Sequence, residues 1–240
     1  MNDKILAIIP ARCGSKGVLD KNIKLLAGKP LLAYSIECAQ ESNIFSDIIV
    51  STDSEKYATI AKDYGASVPF LRSSKTASDT ASSLSVILEV LGRLPHQYDI
   101  VILLQPTSPL RTSQHIVEAY SLFNSKDADS VISVTPFSHS IAWVNTLDIN
   151  TLSLHNFIKS EYLNKRRQDL PSAYILNGAV YIFRTNKLSN NFNMFGEKSY
   201  AYIMDKKYSY DIDDEEDFNV VESLLYYKNF RENMMNSLNI

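Results

Sequence analysis

The stretch AIIPARCGSKGVLDKN, residues 7–22, joins a run of apolar residues directly to a loop that holds one arginine, two lysines and two glycines. In an open α/β sheet, ligands gather where the parallel strands end, and the loop after the first strand is the first such place. Gly14 and Gly17 would let the backbone approach a phosphate closely, and Ser15 could donate a hydrogen bond. The cations that could neutralise phosphate oxygens are Arg12, Lys16 and Lys21. The stretch therefore predicts a buried strand followed by a polyphosphate-binding loop.

The loop lacks the two best-known phosphate-binding spacings. Neither the GxGxxG of dinucleotide folds nor the GxxxxGK[ST] of P-loop proteins occurs in it, so a dinucleotide-dependent oxidoreductase is disfavoured. The alternative is a basic surface turn. Three cations and two glycines within eleven residues, immediately after an apolar run, argue against that alternative.

The rest of the chain alternates short β-branched runs with longer segments of helical period. This alternation is typical of βα units around a mostly parallel sheet with helices on both faces. We expect strands at 5–11, 47–52, 99–105, 129–135, 177–185 and 200–204, and helices at 30–42, 54–65, 112–123 and 214–230. The predicted architecture is a doubly wound, Rossmann-like α/β fold that occupies residues 1–240 as one domain.

The alternation breaks after Pro136. Residues 137–175, called the arm below, show weak periodicity, scattered aromatic residues and mixed charge. We expect the arm to leave the main sheet as a small strand-and-helix excursion that pairs with another subunit. The protein is therefore expected to form a homodimer.

Composition limits the classes of partner. The chain has 240 residues, 45% of them hydrophobic, which suffices for one large core. A net charge of −3 gives no overall attraction to nucleic acid. The two cysteines fit neither a disulfide framework nor a zinc site, and no segment approaches the roughly 20 apolar residues that span a bilayer. We expect a cytoplasmic protein that binds neither nucleic acid nor membrane.

The stretch LLQPTSPLR, residues 103–111, follows the predicted central strand. It places Gln105, Thr107, Ser108 and Arg111 at the carboxyl end of that strand, and the Gln105 amide offers a donor and an acceptor to a sugar or base edge. An ordinary rigid strand-to-helix connection explains these residues equally well.

The stretch SYDIDDEEDF, residues 209–218, places Asp211 and Asp213 two positions apart. If the segment is extended, both carboxylates project from one face and form a partial seat for Mg²⁺, which takes one or two protein carboxylates and fills its shell with water and substrate phosphates. The competing interpretation is that Asp213 and Glu216 form a capping box for the last helix. Both interpretations can hold in part.

The stretch LRSSKTASDTASS, residues 71–83, holds a cluster of hydroxyl groups before a helical run. Such clusters usually form caps and turns, and we expect that role for Ser78 and Asp79. Arg72 and Ser83 are candidates for the wall of a nucleotide site.

Residues 165–171, KRRQDLP, place Arg167 and Gln168 where they could grip an acidic substrate, although a solvated basic turn is nearly as well supported. The four histidines lack metal-ligand spacing, and Cys13 has no evident base. The sequence thus shows no protein nucleophile for covalent catalysis.

Together these motifs resemble the acylneuraminate cytidylyltransferases, also called CMP-sialic acid synthetases. The resemblance is carried, in the family's order and over about residues 4–220, by IPARCGSKGVLDKN, STDS, RSSKTASDTASS, LQPTSPLR, RRQDLP, NGAVYI and YIMDKKYSYDIDDEEDF. It implies a nucleotide-diphospho-sugar transferase-like fold with a small protruding dimerisation arm. It also implies that CTP and a nine-carbon α-keto acid sugar combine, with Mg²⁺, to give a CMP-sugar and pyrophosphate.

The resemblance also implies roles for individual residues. Nucleotide contacts would come from Ala11, Arg12, Ser15, Lys16, Lys21, Asn22, Arg72, Ala81 and Ser83. Sugar contacts would come from Gln105, Thr107, Ser108, Arg167 and Gln168, with Arg167 reaching the sugar bound by the partner subunit. Asp211 and Asp213 would hold the metal, and the catalytic groups would be Arg12, Lys21 and Asp211.

In the implied reaction the attacking group is the anomeric hydroxyl of the sugar itself, so no protein nucleophile is needed. Catalysis would come from alignment and electrostatic stabilisation, and the general base stays open between Asp211 and a hydroxide held by the metal. The resemblance makes N-acetylneuraminate the leading substrate. Legionaminic and pseudaminic acid are alternatives, because related enzymes that activate them have nearly the same nucleotide-binding half, and the identity of the sugar should be read by the less similar arm. A hypothesis of a different class is a nucleotide-sensing protein without turnover, and the presence of both Asp211 and Asp213 argues against it.

Overall fold

A six-stranded mixed sheet forms the centre of the protein, and the computed structural model describes residues 3–15 and 17–237. The strands in chain order are β1 (Ile5–Pro10), β2 (Leu25–Leu26), β3 (Lys29–Pro30), β4 (Asp47–Ser51), β5 (Ile100–Leu103), β6 (Ser130–Pro136), β7 (Tyr174–Arg184) and β8 (Ser199–Ile203). The strand order in the sheet is β4-β1-β5-β7-β6-β8, while β2 and β3 pair separately as a short hairpin. Only β7 runs antiparallel to its neighbours in this sheet, so the predicted mixed, mostly parallel sheet is confirmed.

The described residues form five α-helices. They are α1 (Leu31–Ser42), α2 (Glu55–Asp63), α3 (Ser83–Arg93), α4 (Ser113–Ser125) and α5 (Glu215–Ser237). The last of them packs on α1 and the β2–β3 hairpin rather than on the six-stranded sheet. The hydroxyl of Ser82 accepts a hydrogen bond from the backbone amide of Ser85 and so caps α3. Of the caps and turns expected for Ser78 and Asp79, the turn is confirmed, since the Ser78 hydroxyl donates to the Lys75 carbonyl and the Ala81 amide donates to the Ser78 carbonyl. The cap is not, because the helix begins four residues after Asp79.

Helices cover both faces of the sheet, and β1 contributes apolar side chains alternately to the buried cluster on each face. Ile5, Ala7 and Ile9 belong to a buried cluster that includes Ile36 of α1 and Phe123 of α4. Leu6 and Ile8 point the other way and pack with Ile87 and Val90 of α3. An alternation of period two with apolar residues on both sides is what a central strand of a doubly wound sheet requires.

A third buried cluster fixes the start of α5. Phe218 and Val221 pack with Leu26 and Leu31, and Ile212 joins them just ahead of the helix. This packing carries the acidic segment at 209–218 across the molecule to the loop that follows β1. None of the helices in the described ranges combines the length and apolar character needed to cross a membrane.

The arm differs from the expected strand-and-helix excursion. Between residues 137 and 173 the chain forms three short 3-10 helices (Ile141–Trp143, Ser160–Tyr162 and Arg167–Asp169) and no strand or α-helix. Its last two residues open β7, where Thr135 pairs with Ile175 and Pro136 with Tyr174. The arm is thus fixed to the sheet at its C-terminal end.

Candidate nucleotide-binding site

A polar pocket of about 380 Å³ opens where β1 and β5 end. Seven of the predicted nucleotide-binding residues line it, Ala81 among them; the other six are Arg12, Ser15, Lys21, Asn22, Arg72 and Ser83. Two predicted sugar-binding residues, Gln105 and Thr107, line it as well, together with one predicted metal ligand, Asp213. Segments more than 190 residues apart in sequence therefore meet in one cleft.

The loop that follows β1, called the phosphate loop below, contacts the acidic segment 209–218 through Gly17 and Lys21. The ammonium group of Lys21 donates a 2.6 Å hydrogen bond to the carbonyl of Ile212 and lies 4.0 Å from the Asp213 carboxylate. A Cβ placed on Gly17 would lie 2.3 Å from the carbonyl oxygen of Asp213, so only glycine allows this approach. Because the backbone amide of Ile212 also donates to the carbonyl of Thr107, three separate segments converge at this point.

Asp211 lies in this junction, and one of its carboxylate oxygens, Oδ1, is buried and has no hydrogen-bond partner within residues 3–15 and 17–237. Burial raises the pKa of Asp211, as does the nearby charge of Asp213, while the Thr107 hydroxyl and Lys21 oppose the rise. A buried acceptor without a donor is costly unless a ligand supplies the missing contact.

The donor set fits Mg²⁺. Asp211 supplies the buried oxygen, Asp213 supplies a largely exposed carboxylate on the pocket wall, and hard carboxylate oxygens are what this ion prefers. Within residues 3–15 and 17–237 no group of three or more histidine, cysteine or acidic side chains could hold a metal. A pair of carboxylates suits an ion that is completed by water and phosphate oxygens rather than by a full protein cage.

The cap of α5 is not the one considered from the sequence. Asp214 accepts hydrogen bonds from the backbone amides of Glu216 and Asp217, and Asp217 in turn accepts from the amides of Asp213 and Asp214. The reciprocal cap therefore starts at Asp214, one residue later than the proposed Asp213–Glu216 pair. This leaves the Asp213 carboxylate outside the cap.

Arg12 spans the mouth of the pocket. Its guanidinium group forms a 2.7 Å ion pair with Asp79, and its backbone carbonyl accepts a 3.0 Å hydrogen bond from the side-chain amide of Asn22. Asn22 is buried, so this bond fixes the two ends of the loop relative to each other. Asp79 thus serves as a pocket residue, in place of the cap role expected for it.

Two carboxylates that the sequence analysis did not single out, those of Asp53 and Asp20, form hydrogen bonds that fix the phosphate loop to neighbouring segments. The carboxylate of Asp53 accepts from the backbone amide of Cys13 at 2.8 Å and from its thiol at 3.1 Å. Asp20, in the left-handed region at φ 51°, accepts from the buried hydroxyl of Tyr57 at 3.0 Å. Asp53 stands in the STDS motif, which could have indicated it, whereas nothing local to Asp20 indicates its partner.

The Cys13–Asp53 contact also explains why Cys13 is not a nucleophile. The hydrogen bond to Asp53, together with burial, raises the pKa of the Cys13 thiol. Burial alone would raise the pKa of Asp53, but the hydrogen bonds from Cys13 and from a backbone amide, together with the charge of Arg72, lower that pKa. The thiol therefore stays protonated, and the sequence-based absence of a protein nucleophile agrees with the geometry.

Arg72 forms a buried brace on the opposite wall. It is 8% exposed, and its guanidinium group donates to the Ser51 carbonyl at 2.6 Å, to the Ser51 hydroxyl and to the Thr76 carbonyl. Burial lowers the pKa of Arg72, although the charges of Asp53 and Glu89 oppose this. Arg72 thus joins the end of β4 to the segment that carries Asp79 and Ala81.

The Gln105 side chain packs on Gly178 of β7. A Cβ on Gly178 would lie 3.3 Å from the Gln105 amide oxygen, and Gly178 adopts a φ of +71°, which side chains rarely tolerate. Ser108 lies beneath this region, fully buried, and donates to the Asn177 carbonyl at 3.3 Å. Ser108 is therefore not on the pocket wall.

Three further predicted residues lie away from the pocket. Ala11 is fully buried, and its amide continues the parallel ladder by donating to the Ser51 carbonyl. Arg167 lies in the arm, where it donates to the Ser138 carbonyl at 2.5 Å, and the adjacent Gln168 is exposed. Lys16 lies outside the described residues.

The family model described as Cytidylyltransferase matches residues 6–234. The chain belongs to the cytidylyltransferase family. An N-acylneuraminate cytidylyltransferase of Escherichia coli O18:K1:H7 is 42% identical over 231 residues, which cover 95% of this chain and 54% of that protein. A CMP-N,N'-diacetyllegionaminic acid synthase of Legionella pneumophila is 37% identical, with 92% and 96% covered. The chain thus spans about half the length of the first relative and nearly all of the second.

The fold is also found in solved structures. A CMP:2-keto-3-deoxy-manno-octonic acid synthetase complexed with CTP superposes with a TM-score of 0.71 over 94% of this chain and 99% of that one, at 17% identity. This likeness confirms the nucleotidyltransferase fold predicted from the sequence.

Proposed function

We propose that the protein transfers CMP from CTP to the anomeric hydroxyl of a nonulosonic acid, with N-acetylneuraminate as the leading substrate. The products are the CMP-sugar and pyrophosphate. The observation that carries the proposal is the junction of the phosphate loop with the acidic segment, where Gly17 and Lys21 contact Ile212 and Asp213. This junction lets one nucleoside triphosphate touch both the cations and the carboxylates.

In the proposed reaction, the anomeric oxygen forms a bond to the α-phosphorus while the bond from that phosphorus to the bridging oxygen of pyrophosphate breaks. We assign Arg12 and Lys21 to the phosphate charge that develops in this step, since fixed cations in a partly buried site stabilise it without reorganisation. Arg12 would exchange its ion pair with Asp79 for the phosphate. Bound Mg²⁺, held by Asp211 and Asp213, would supply further charge neutralisation.

Asp211 is the proposed acceptor of the proton from the anomeric hydroxyl. Burial raises the pKa of this carboxyl, which makes its ionised form a stronger base than a solvated aspartate. The Thr107 hydroxyl orients it. The proposal thus assigns Arg12, Lys21 and Asp211 the catalytic roles that the resemblance implies.

For the sugar, we propose contacts from Gln105 and Thr107 within the chain and from Arg167 and Gln168 of a partner's arm. The arm supports this homodimer because it leaves large apolar side chains exposed, including Ile141, Ile149 and Leu154. Such a concentration of exposed apolar surface is typical of an interface. Ser108 would act indirectly, through Asn177.

The test is incubation with CTP, Mg²⁺ and a panel of nonulosonic acids, with pyrophosphate release as the readout. Release with N-acetylneuraminate, greatly reduced in Asp211→Asn, is the expected result. CTP binding without release for any sugar would instead support the nucleotide-sensing alternative.

Legionaminic acid is the second candidate substrate. The specific observation that favours it is the Legionella relative, which is named a CMP-N,N'-diacetyllegionaminic acid synthase and whose length this chain nearly matches. The ratio of kcat/KM values for the two sugars decides between them.

A further inference from the structure

A second cavity, larger than the nucleotide pocket, lies between α1 and the C-terminal half of α5. Its volume is about 730 Å³, and we name it the α1–α5 groove. One face of α1 lines it with Tyr34, Glu37, Cys38 and Glu41, and one face of α5 with Leu224, Tyr227, Lys228 and Arg231. Both sets recur at i, i+3, i+4 and i+7, so each helix turns a continuous stripe toward the groove.

The floor of the groove is the segment after Thr107, residues 109–112, and it contains the buried cation Arg111. Arg111 is 4% exposed. Its terminal nitrogens donate to the carbonyls of Gln105 and Ala179 at 3.2 and 2.9 Å and to the Ser35 hydroxyl at 2.5 Å. Of its other donors, Nε is buried and has no hydrogen-bond partner among the described residues.

Nothing else in the floor supplies a strong acceptor for that donor. The neighbouring Cys38 thiol does contact Arg111, but burial raises the pKa of this thiol even though the charge of Arg111 and its hydrogen bond to Cys38 oppose the rise, so the thiol stays neutral. A neutral thiol is only a weak acceptor. A buried, charged donor left without an acceptor is costly, so the site is suited to an anionic oxygen.

The charges and aromatic side chains on the walls of the groove indicate what kind of anionic molecule would fit it. Among the described residues, five cationic side chains (Lys29, Arg111, Lys207, Lys228 and Arg231) and two acidic ones (Glu37 and Glu41) line it. Lys29 already pairs with Glu37, and Lys207 lies 3.9 Å from the Asp205 carboxylate. Tyr34, Leu110, Tyr208, Leu224 and Tyr227 supply apolar and aromatic surface, and burial raises the pKa of Tyr34 to about 12, so this ring stays neutral.

We propose that the α1–α5 groove binds a small organic anion with a flat apolar body, which draws the Arg111 guanidinium group toward its anionic group and lies between the aromatic side chains. The volume is in the range of small-molecule sites, about 300–1,000 Å³. The site is separate from the nucleotide pocket and does not depend on the proposed reaction.

A bound anion would change the affinity of the nucleotide pocket for CTP. The guanidinium group of Arg111 holds the Gln105 carbonyl, and the Gln105 side chain lines that pocket. An anion that draws Arg111 toward the groove therefore alters the position of Gln105 and changes CTP affinity. By linkage, CTP changes the affinity for the anion by the same factor. This second part rests on the proposed function.

The binding part is tested with 8-anilinonaphthalene-1-sulfonate, a fluorescent aromatic sulfonate, titrated into the full chain without CTP. The groove variant Lys207→Glu/Arg231→Glu reverses two charges at the rim. The control variant Lys4→Glu/Lys62→Glu changes the net charge equally at exposed positions outside the groove. We expect the dissociation constant to rise at least about tenfold in the groove variant and to stay within about twofold in the control.

Equal dissociation constants in the two variants would show adventitious binding to exposed apolar surface and would overturn the site. Binding that disappears as chains associate at higher protein concentration would show that a second copy covers the groove, and would overturn it too.

The coupling part is measured separately, as CTP affinity by calorimetry with and without saturating probe. A change of about threefold or more in the wild-type chain, absent from the groove variant, is expected. An unchanged CTP affinity would overturn the coupling. A chain that binds the probe as expected but never binds CTP would refute the proposed function and leave the groove site standing.

Discussion

The nucleotide pocket and the arm are opposite kinds of surface on one chain. In the pocket, polar groups such as Asn22 and Arg72 are buried and bonded to the backbone of neighbouring segments. In the arm, large apolar side chains such as Ile149 and Leu154 are exposed. The pocket is therefore shaped by its own chain, whereas the arm has the character of a surface that another molecule covers.

The largest expected effect on turnover comes from substituting Asp211, which lies at the nucleotide pocket rather than in the arm. Asp211→Asn should lower kcat about a hundredfold or more, because it removes both the base and a metal ligand, and one electrostatic contact of this kind is worth about 3 kcal/mol. Pyrophosphate release at saturating CTP measures it. Wild-type kcat in this variant would remove Asp211 from the reaction.

Gly17→Ala should give the next largest effect. The new Cβ meets the Asp213 carbonyl at 2.3 Å, so the loop and the acidic segment must separate, and a displacement of about 1 Å at a reacting centre can cost about a hundredfold in rate. The matched control is Gly92→Ala in α3, where a Cβ meets nothing within 4 Å. Equal kcat/KM in both variants would mean that the contact has no functional role.

The arm should respond differently. Ile141→Asp/Leu154→Asp should raise the dimer dissociation constant by tenfold or more, because burying one such side chain contributes about 1.5–3 kcal/mol. CTP binding should stay unchanged. Phe195→Asp, also exposed but outside the arm, is the control. Sedimentation measures association, and a dimer that survives the double substitution would place the interface elsewhere.

Asp214→Ala tests stability without chemistry. Asp214 caps α5 through the amides of Glu216 and Asp217, so its loss should lower the free energy of unfolding by about 1 kcal/mol. Denaturant unfolding measures this, and kcat should change little beside Asp211→Asn. A loss of turnover as large as that of Asp211→Asn would assign Asp214 to the metal site.

The smallest effect concerns pH and stability. The folded-state pKa of Asp211 is raised above its ordinary value of 3.8, so the folded protein binds the proton more tightly than the unfolded chain. Stability from this group is present below pH 3.8 and is lost as the pH rises through the folded pKa. Without metal, Asp211→Asn should thus unfold at slightly higher denaturant than wild type at neutral pH, and the difference should vanish in acid. A less stable variant at neutral pH would mean that the carboxylate is favourably bonded.

The sequence predicts the strand-to-loop part of the site well, because each piece is local. The run before Arg12 is apolar on both faces, which identifies a central strand, and glycines beside cations identify an anion loop. The placement of Lys21 beside Asp213 follows from the resemblance and is confirmed as a contact. Its physical cause, the packing of Phe218 on Leu26, is a long-range feature that no local pattern contains.

Other parts could not be predicted from pattern. Apolar period identifies β7 as a strand but not its direction, since both pairings bury the same side chains. The Arg12–Asp79 ion pair and the Tyr57–Asp20 bond join separate segments and need the folded geometry. The prediction of a strand and a helix in the arm is wrong, and the weak periodicity of its apolar residues gave little basis for either element.

Strand β7 has a dual position. Its first residues, Tyr174 and Ile175, belong to the arm, while Gly178, a few positions along the same backbone, supports the Gln105 side chain. The β7 backbone is continuous between these positions, although its pairing with β6 shifts register there and Gly178 has a φ of +71°. A contact that fixes Tyr174 and Ile175 therefore also limits where Gly178 can lie. Assembly and sugar recognition would then be coupled through this one strand, and a monomer would hold the Gln105 side chain less firmly than a dimer does.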